Sequence, residues 1–69
     1  MRVTVDIESD TLYFRLSEDP IAESEEVSPG IIVDYDGSGK VIGLEILEIK
    51  RRVPMADLSH VMVELPTGI

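Results

Sequence analysis

The sequence predicts a small α+β domain: a mostly antiparallel β-sheet made of two hairpins plus a C-terminal strand, with one short helical segment. Three observations predict it. Short segments alternate apolar and polar residues at period two, the spacing of half-buried strands. Most of the links between them are brief and rich in Gly, Pro, Asp and Ser, as tight turns require. Only Leu47–Val53 drops the alternation while keeping mostly good helix formers.

Taken in order, Arg2–Ile7 puts Val3, Val5 and Ile7 on one side and Arg2, Thr4 and Asp6 on the other. Glu8-Ser9-Asp10 is a polar turn. Thr11–Leu16 closes the first hairpin, with Leu12, Phe14 and Leu16 inward and Tyr13 and Arg15 outward. Ser17–Pro20 breaks the pattern. Ile21–Val27 is weakly apolar and carries Glu23, Glu25 and Glu26, so it reads as an edge strand whose charges discourage unwanted pairing. Ser28-Pro29-Gly30 is a turn, because proline fixes φ and glycine permits positive φ.

Ile31–Tyr35 and Val41–Ile46 form the second hairpin about Asp36–Gly39. Gly43, on the face opposite Ile42, Leu44 and Ile46, marks a bulge or the close approach of another chain. Within Leu47–Val53, Glu48 and Arg52 are spaced for an i,i+4 pair, and Pro54 ends the element. A second short turn spans Pro54–Leu58. His60–Leu65 alternates again, with Val61, Val63 and Leu65 opposite His60, Met62 and Glu64, and reads as the final strand.

At 69 residues the chain is a single domain, residues 1–69. It has no cysteine and one histidine. Disulfides, thiolate zinc sites, iron–sulfur clusters and multi-histidine metal sites are therefore excluded within one chain. A domain this small buries only about 60% of its unfolded surface, so it needs a staple. Oligomerisation is the leading candidate, and a homo-oligomer, with a dimer favoured, is expected. The net charge is −8, and the first 36 residues hold ten acids against two bases. That balance disfavours nucleic acid and anionic membranes and favours a basic protein partner. No apolar run nears the ~20 residues that span a bilayer, and no leader-like segment opens the chain, so a cytoplasmic location is expected.

The first hairpin reads Asp6-Ile7-Glu8-Ser9-Asp10-Thr11-Leu12-Tyr13-Phe14-Arg15-Leu16. The second reads Pro29-Gly30-Ile31-Ile32-Val33-Asp34-Tyr35-Asp36, then Gly39-Lys40-Val41-Ile42-Gly43-Leu44-Glu45-Ile46-Leu47. In order and spacing the two together resemble the small prokaryotic domain-of-unknown-function family 2283. The likeness covers about residues 1–50; residues 51–69 depart from it as a variable part. The resemblance implies a β-rich domain with a small helix, and it brings no established activity, catalytic residue or cofactor. Some similar proteins sit beside small toxin-like partners, which implies an antitoxin-type role.

The residues that could carry chemistry are few. Asp6, Glu8 and Asp10 resemble the opening of a calcium loop, but Thr11 and Ser17 stand where such a loop needs glycine and glutamate. Asp34–Gly39 resembles another fragment, but reads first as a strand end before an Asp-Gly turn. If both hairpin tips lay at one end of the sheet, Asp6, Asp10, Asp34 and Asp36 would converge on a hard divalent ion and could activate water. His60 has neighbouring Ser59, and Ser38 lies between glycines, but neither makes a triad or a nucleophile elbow. Lys50, Arg51 and Arg52 form a basic patch suited to pairing with the acidic strands, within one subunit or between two.

The reading is a non-enzymatic interaction module without a cofactor. It binds a protein partner and itself, in an antitoxin-like manner, through Glu23, Glu25, Glu26, Lys50, Arg51 and Arg52. The alternatives are a metal-binding or hydrolytic protein using the aspartates, and a purely structural assembly component.

Overall fold

Two tight turns and two longer loops set the strand order. The computed structural model describes residues 1–54, 58 and 60–67. Its strands are β1 (Arg2–Asp6), β2 (Thr11–Arg15), β3 (Glu23–Ser28), β4 (Ile31–Tyr35) and β5 (Val41–Leu47), followed by α1 (Ile49–Arg52). They form one five-stranded sheet in the order β1-β2-β5-β4-β3, antiparallel throughout. The expected edge strand is at an edge, as β3, and β1 is the other edge. The fold is mostly β, with a helix of a single turn. Among the described residues no helix is long and apolar enough to cross a membrane.

The β1–β2 turn is held by Asp6, whose Oδ1 accepts the amide protons of Glu8 and Ser9 at 3.1 and 3.2 Å. Asp10 adopts φ 56°, a left-handed conformation that aspartate tolerates better than most residues. The β3–β4 turn passes through Gly30 at φ 76°, with the Arg52 guanidinium lying close over it. Asp36 organises the β4–β5 loop: its Oδ1 accepts from the Ser38 amide (2.9 Å), the Ser38 hydroxyl (2.8 Å) and the Lys40 amide (2.9 Å).

The helix starts later than expected. Glu48 sits at φ 52° as its N-cap, so the chain turns sharply out of β5 before Ile49. Glu48 therefore pairs with Arg51 at 3.1 Å, not with Arg52. The amides of Ile49 and Lys50 donate to the Asp10 carbonyl and Oδ1 at 3.1 and 3.0 Å, which ties α1 to the β1–β2 turn.

Register sorts the side chains onto two faces. Val3 opposes Phe14, Phe14 opposes Leu44, and Leu44 opposes Val33. One row below, Val5 opposes Leu12, Leu12 opposes Ile46, and Ile46 opposes Ile31. In both rows the β1, β2, β5 and β4 columns of this face are apolar. The inward set expected from the alternation is here, but among the described residues no second layer covers it. The only buried hydrophobic side chains among the described residues are Ile42 and Ile49. Val3, Ile7, Leu16 and Val27, which follow the same alternation, and Val41, which the bulge sets opposite Tyr35, are 37–50% exposed.

The final strand is not formed. Residues 60–66 carry no regular secondary structure, and Val61, Met62, Val63 and Leu65 are 57%, 81%, 69% and 85% exposed. Alternation gives a segment two distinct sides, but a strand also needs a neighbour to receive its backbone hydrogen bonds. The second turn expected at Pro54–Leu58 falls largely outside the described residues, as does Ser59.

Candidate functional site

On the polar face, four strands bring one cluster together. Tyr13 and Arg15 come from β2, Asp34 from β4, Gly43 and Glu45 from β5, and Ser24 from β3. Cross-strand register is the cause: Tyr13 opposes Glu45, Arg15 and Asp34 both oppose Gly43, and Ser24 opposes Asp34. Asp34 is 1% exposed. Its Oδ2 accepts from the Tyr13 hydroxyl at 3.1 Å and its Oδ1 from the Ser24 hydroxyl at 2.6 Å. Arg15 donates through Nη1 to the Tyr13 oxygen at 3.1 Å and through Nη2 to the Asp19 carbonyl. A buried carboxylate survives in this way, with each oxygen hydrogen-bonded and a cation one step away.

Gly43 answers the question its sequence position raised. A Cβ there would meet Asp34 Oδ2 at 2.8 Å and the Tyr13 hydroxyl at 2.9 Å. The glycine thus clears space for two side chains of its own chain. A bulge lies beside it, where Asp34 opposes Gly43 but Tyr35 opposes Val41, leaving Ile42 as the extra residue. Burial, then the nearby charge and hydrogen bond of Asp34, pushes the Glu45 carboxyl above its ordinary value. This cluster organises the sheet.

The four aspartates do not converge. The β1–β2 turn, the β3–β4 turn and α1 share one end of the sheet, because Thr11 opposes Leu47 and Ile31 opposes Ile46. The β4–β5 loop with Asp36 lies at the other end. Each carboxylate serves local structure instead: Asp6 and Asp36 hold their turns, Asp10 anchors α1, and Asp34 joins strands. Among the described residues no group of three or more acidic or histidine side chains is placed to hold a metal ion.

The charged residues singled out in the sequence also separate. Glu23, Glu25 and Glu26 line β3 and are exposed, at a bare sheet edge. Arg51 pairs with Glu48, and Arg52 donates to the carbonyls of Leu47 (3.0 Å) and Pro29 (2.9 Å). Two of the three patch residues, Arg51 and Arg52, are therefore spent on their own neighbourhood, and neither makes the expected pairing with the acidic strands within the chain. His60 is exposed in the C-terminal segment.

Sequence reasoning missed the Asp34 cluster. The available signal was a single acid inside the apolar run Ile31–Tyr35, facing a glycine on the neighbouring hairpin strand.

No curated protein and no solved structure matches the chain. Residues 2–50 match the family described as a protein of unknown function, DUF2283. That span runs from β1 to the first turn of α1 and contains the whole sheet and every member of the Asp34 cluster. The chain belongs to this family, and the family carries no assigned activity.

Proposed function

We propose that this domain is a protein-interaction module that associates with itself through the apolar face of its sheet. The observation that carries the reading is an apolar sheet face over which, among the described residues, no second sheet or long helix lies, with Val3, Ile7, Leu16 and Val27 left 37–50% exposed. The accessible surface is 5261 Å² for a 7.6 kDa chain. A compact monomer of that mass exposes roughly 4,300 Å². The excess, about 1,000 Å², is shared between the open sheet face and the exposed residues 60–65. The shape agrees, since the Cα envelope is a slab of 37 × 37 × 19 Å. Two such slabs stacked face to face would bury the apolar layers at the usual sheet spacing of about 10 Å. The missing staple for a small cysteine-free core is then the second subunit.

The test is mass in solution. Light scattering at micromolar concentration is expected to give twice the 7.6 kDa chain mass. Val3→Lys and Val41→Lys change side chains that are 37% and 49% exposed, so each variant should fold and lose the dimer. A wild-type chain that stays monomeric at high concentration would overturn the reading.

A second reading, of antitoxin type, rests on the bare β3 edge with its exposed Glu23, Glu25 and Glu26. An extended basic segment of a partner would add there as a strand, with main-chain pairing giving affinity and the glutamates giving selectivity. Binding of a lysine-rich extended peptide, weakened by salt and lost when the three glutamates become glutamine, is the expected result. Indifference to either change would refute it.

A further inference from the structure

We infer that the β3 edge selects an extended segment of another protein that carries basic side chains at two alternate positions, both lying on the Tyr35 side of the sheet against Glu23 and Glu25, an inference that rests on the strand addition proposed above.

Register divides the acids of β3 between the two faces. Glu23 opposes Tyr35 and Glu25 opposes Val33, so these two carboxylates stand on the face that carries the apolar rows. Glu26 opposes Ile32, which in turn opposes Glu45, so it stands on the face of the Asp34 cluster. Ser24, between Glu23 and Glu25, also belongs to that second face, and its hydroxyl is bound to Asp34 at 2.6 Å.

The two faces differ in charge balance. Glu26 lines a cleft together with Arg52, whose guanidinium lies over Gly30, so a cation of the chain itself stands near this acid. Glu23 and Glu25 line a different cleft, of about 420 Å³, with Tyr35 and Asp36. No lysine or arginine is among the described residues that line it, and neither glutamate has an ion pair. Two uncompensated carboxylates beside an aromatic ring suit the head of a lysine or arginine, with its stem laid along the ring.

The pairing geometry then sets the spacing. A strand added beside β3 puts the residues opposite Glu23 and Glu25 two positions apart and on one face, whichever way it runs. The residue between them faces Ser24, where no charge waits for it. The register shift between Glu26 and Ser28 ends the regular edge, so the contact is confined to Glu23–Glu26.

Charge also decides against a second copy of this chain. A second β3 would bring three further glutamates to the same edge, and like charges across a strand pair are destabilising. The basic cluster Lys50–Arg52 lies in and beside a helical turn instead of an extended strand, with Arg51 held by Glu48 and Arg52 by the carbonyls of Leu47 and Pro29.

The test compares two labelled peptides of the same composition, one alternating arginine and threonine, the other with its arginines in one block. Each is titrated against the whole chain by fluorescence anisotropy, with hydrogen exchange of the β3 amides followed on the same samples. The alternating peptide should bind about tenfold more tightly than the block and slow exchange along β3. Glu23→Gln and Glu25→Gln should each weaken it about two- to fivefold, and Tyr35→Leu by a similar factor, while Glu26→Gln leaves it nearly unchanged. Slowed exchange along β3 with equal affinity for the two peptides, or with Glu26→Gln as harmful as Glu25→Gln, overturns this inference and leaves strand addition standing. No binding of either peptide, or binding that leaves β3 exchange unaltered, overturns both.

Discussion

Replacing Gly43 with alanine isolates the packing of the polar face. Two effects oppose each other. Alanine in a strand loses less backbone entropy than glycine, a gain of about 0.5–1 kcal/mol. Against it, the new methyl would lie 2.8 Å from Asp34 Oδ2 and 2.9 Å from the Tyr13 hydroxyl. Asp34 cannot move aside cheaply, because it is 1% exposed and bonded to Ser24 at 2.6 Å. Overpacking of this kind costs about 1–3 kcal/mol. Displacing Tyr13 from a buried carboxylate adds a cost of about 1–2 kcal/mol.

The clash wins, with a net loss of about 2–3 kcal/mol. A domain of this length has roughly 3–10 kcal/mol in total, so the effect is a large share of it. At about 4–8 °C per kcal/mol, the melting temperature should fall by about 10–20 °C. Circular dichroism during heating and in urea, at one fixed protein concentration, reads both quantities. Tyr13→Phe in the alanine background removes the displaced hydroxyl and should recover part of the loss. A Gly43→Ala variant as stable as the wild type, or more stable, would refute the argument that this glycine exists to admit Asp34 and Tyr13.

Two further predictions concern pH and have opposite signs. Burial and Asp34 raise the Glu45 carboxyl above its ordinary value, so its contribution is present below the ordinary glutamate range and fades as pH rises through the folded value. Wild type should therefore lose stability relative to Glu45→Gln as pH rises from about 4 toward 7, and parallel urea midpoints would refute this. The amides of Lys40 and Ser38 and the Ser38 hydroxyl hold the Asp36 carboxyl below its ordinary value, so its contribution is present above the ordinary aspartate range and is lost as pH falls through the folded value. The advantage of wild type over Asp36→Asn should shrink on acidification, measured as amide exchange in the β4–β5 loop; an advantage that grows would refute it.

The same two classes of information recur across the molecule. Val3, Val5, Leu12, Phe14, Leu44 and Ile46 announce their strands because alternation is a local property of a pleated chain, visible without knowing any neighbour. The acidic edge was legible in Glu23, Glu25 and Glu26 for the same reason, since charge on a weakly apolar segment argues against burial. The aspartates were legible as residues and misleading as a group. Asp6, Asp10 and Asp36 look like ligands in a string of letters, yet each serves a turn or a helix start.

By itself the sequence determined β1–β5, the turns between them, the thin core and the concentration of negative charge in the first 36 residues. Only the tertiary structure decided which strands lie side by side. Strand order put the hairpin tips at opposite ends, removing the aspartate site, and cross-strand register gathered Tyr13, Ser24, Asp34 and Glu45 around Gly43. It also decided that, among the described residues, no second layer covers the apolar face and residues 61–65 form no strand. The physical reason is the same in each case: periodicity fixes what a segment offers, and only its neighbours in space determine whether the offer is met.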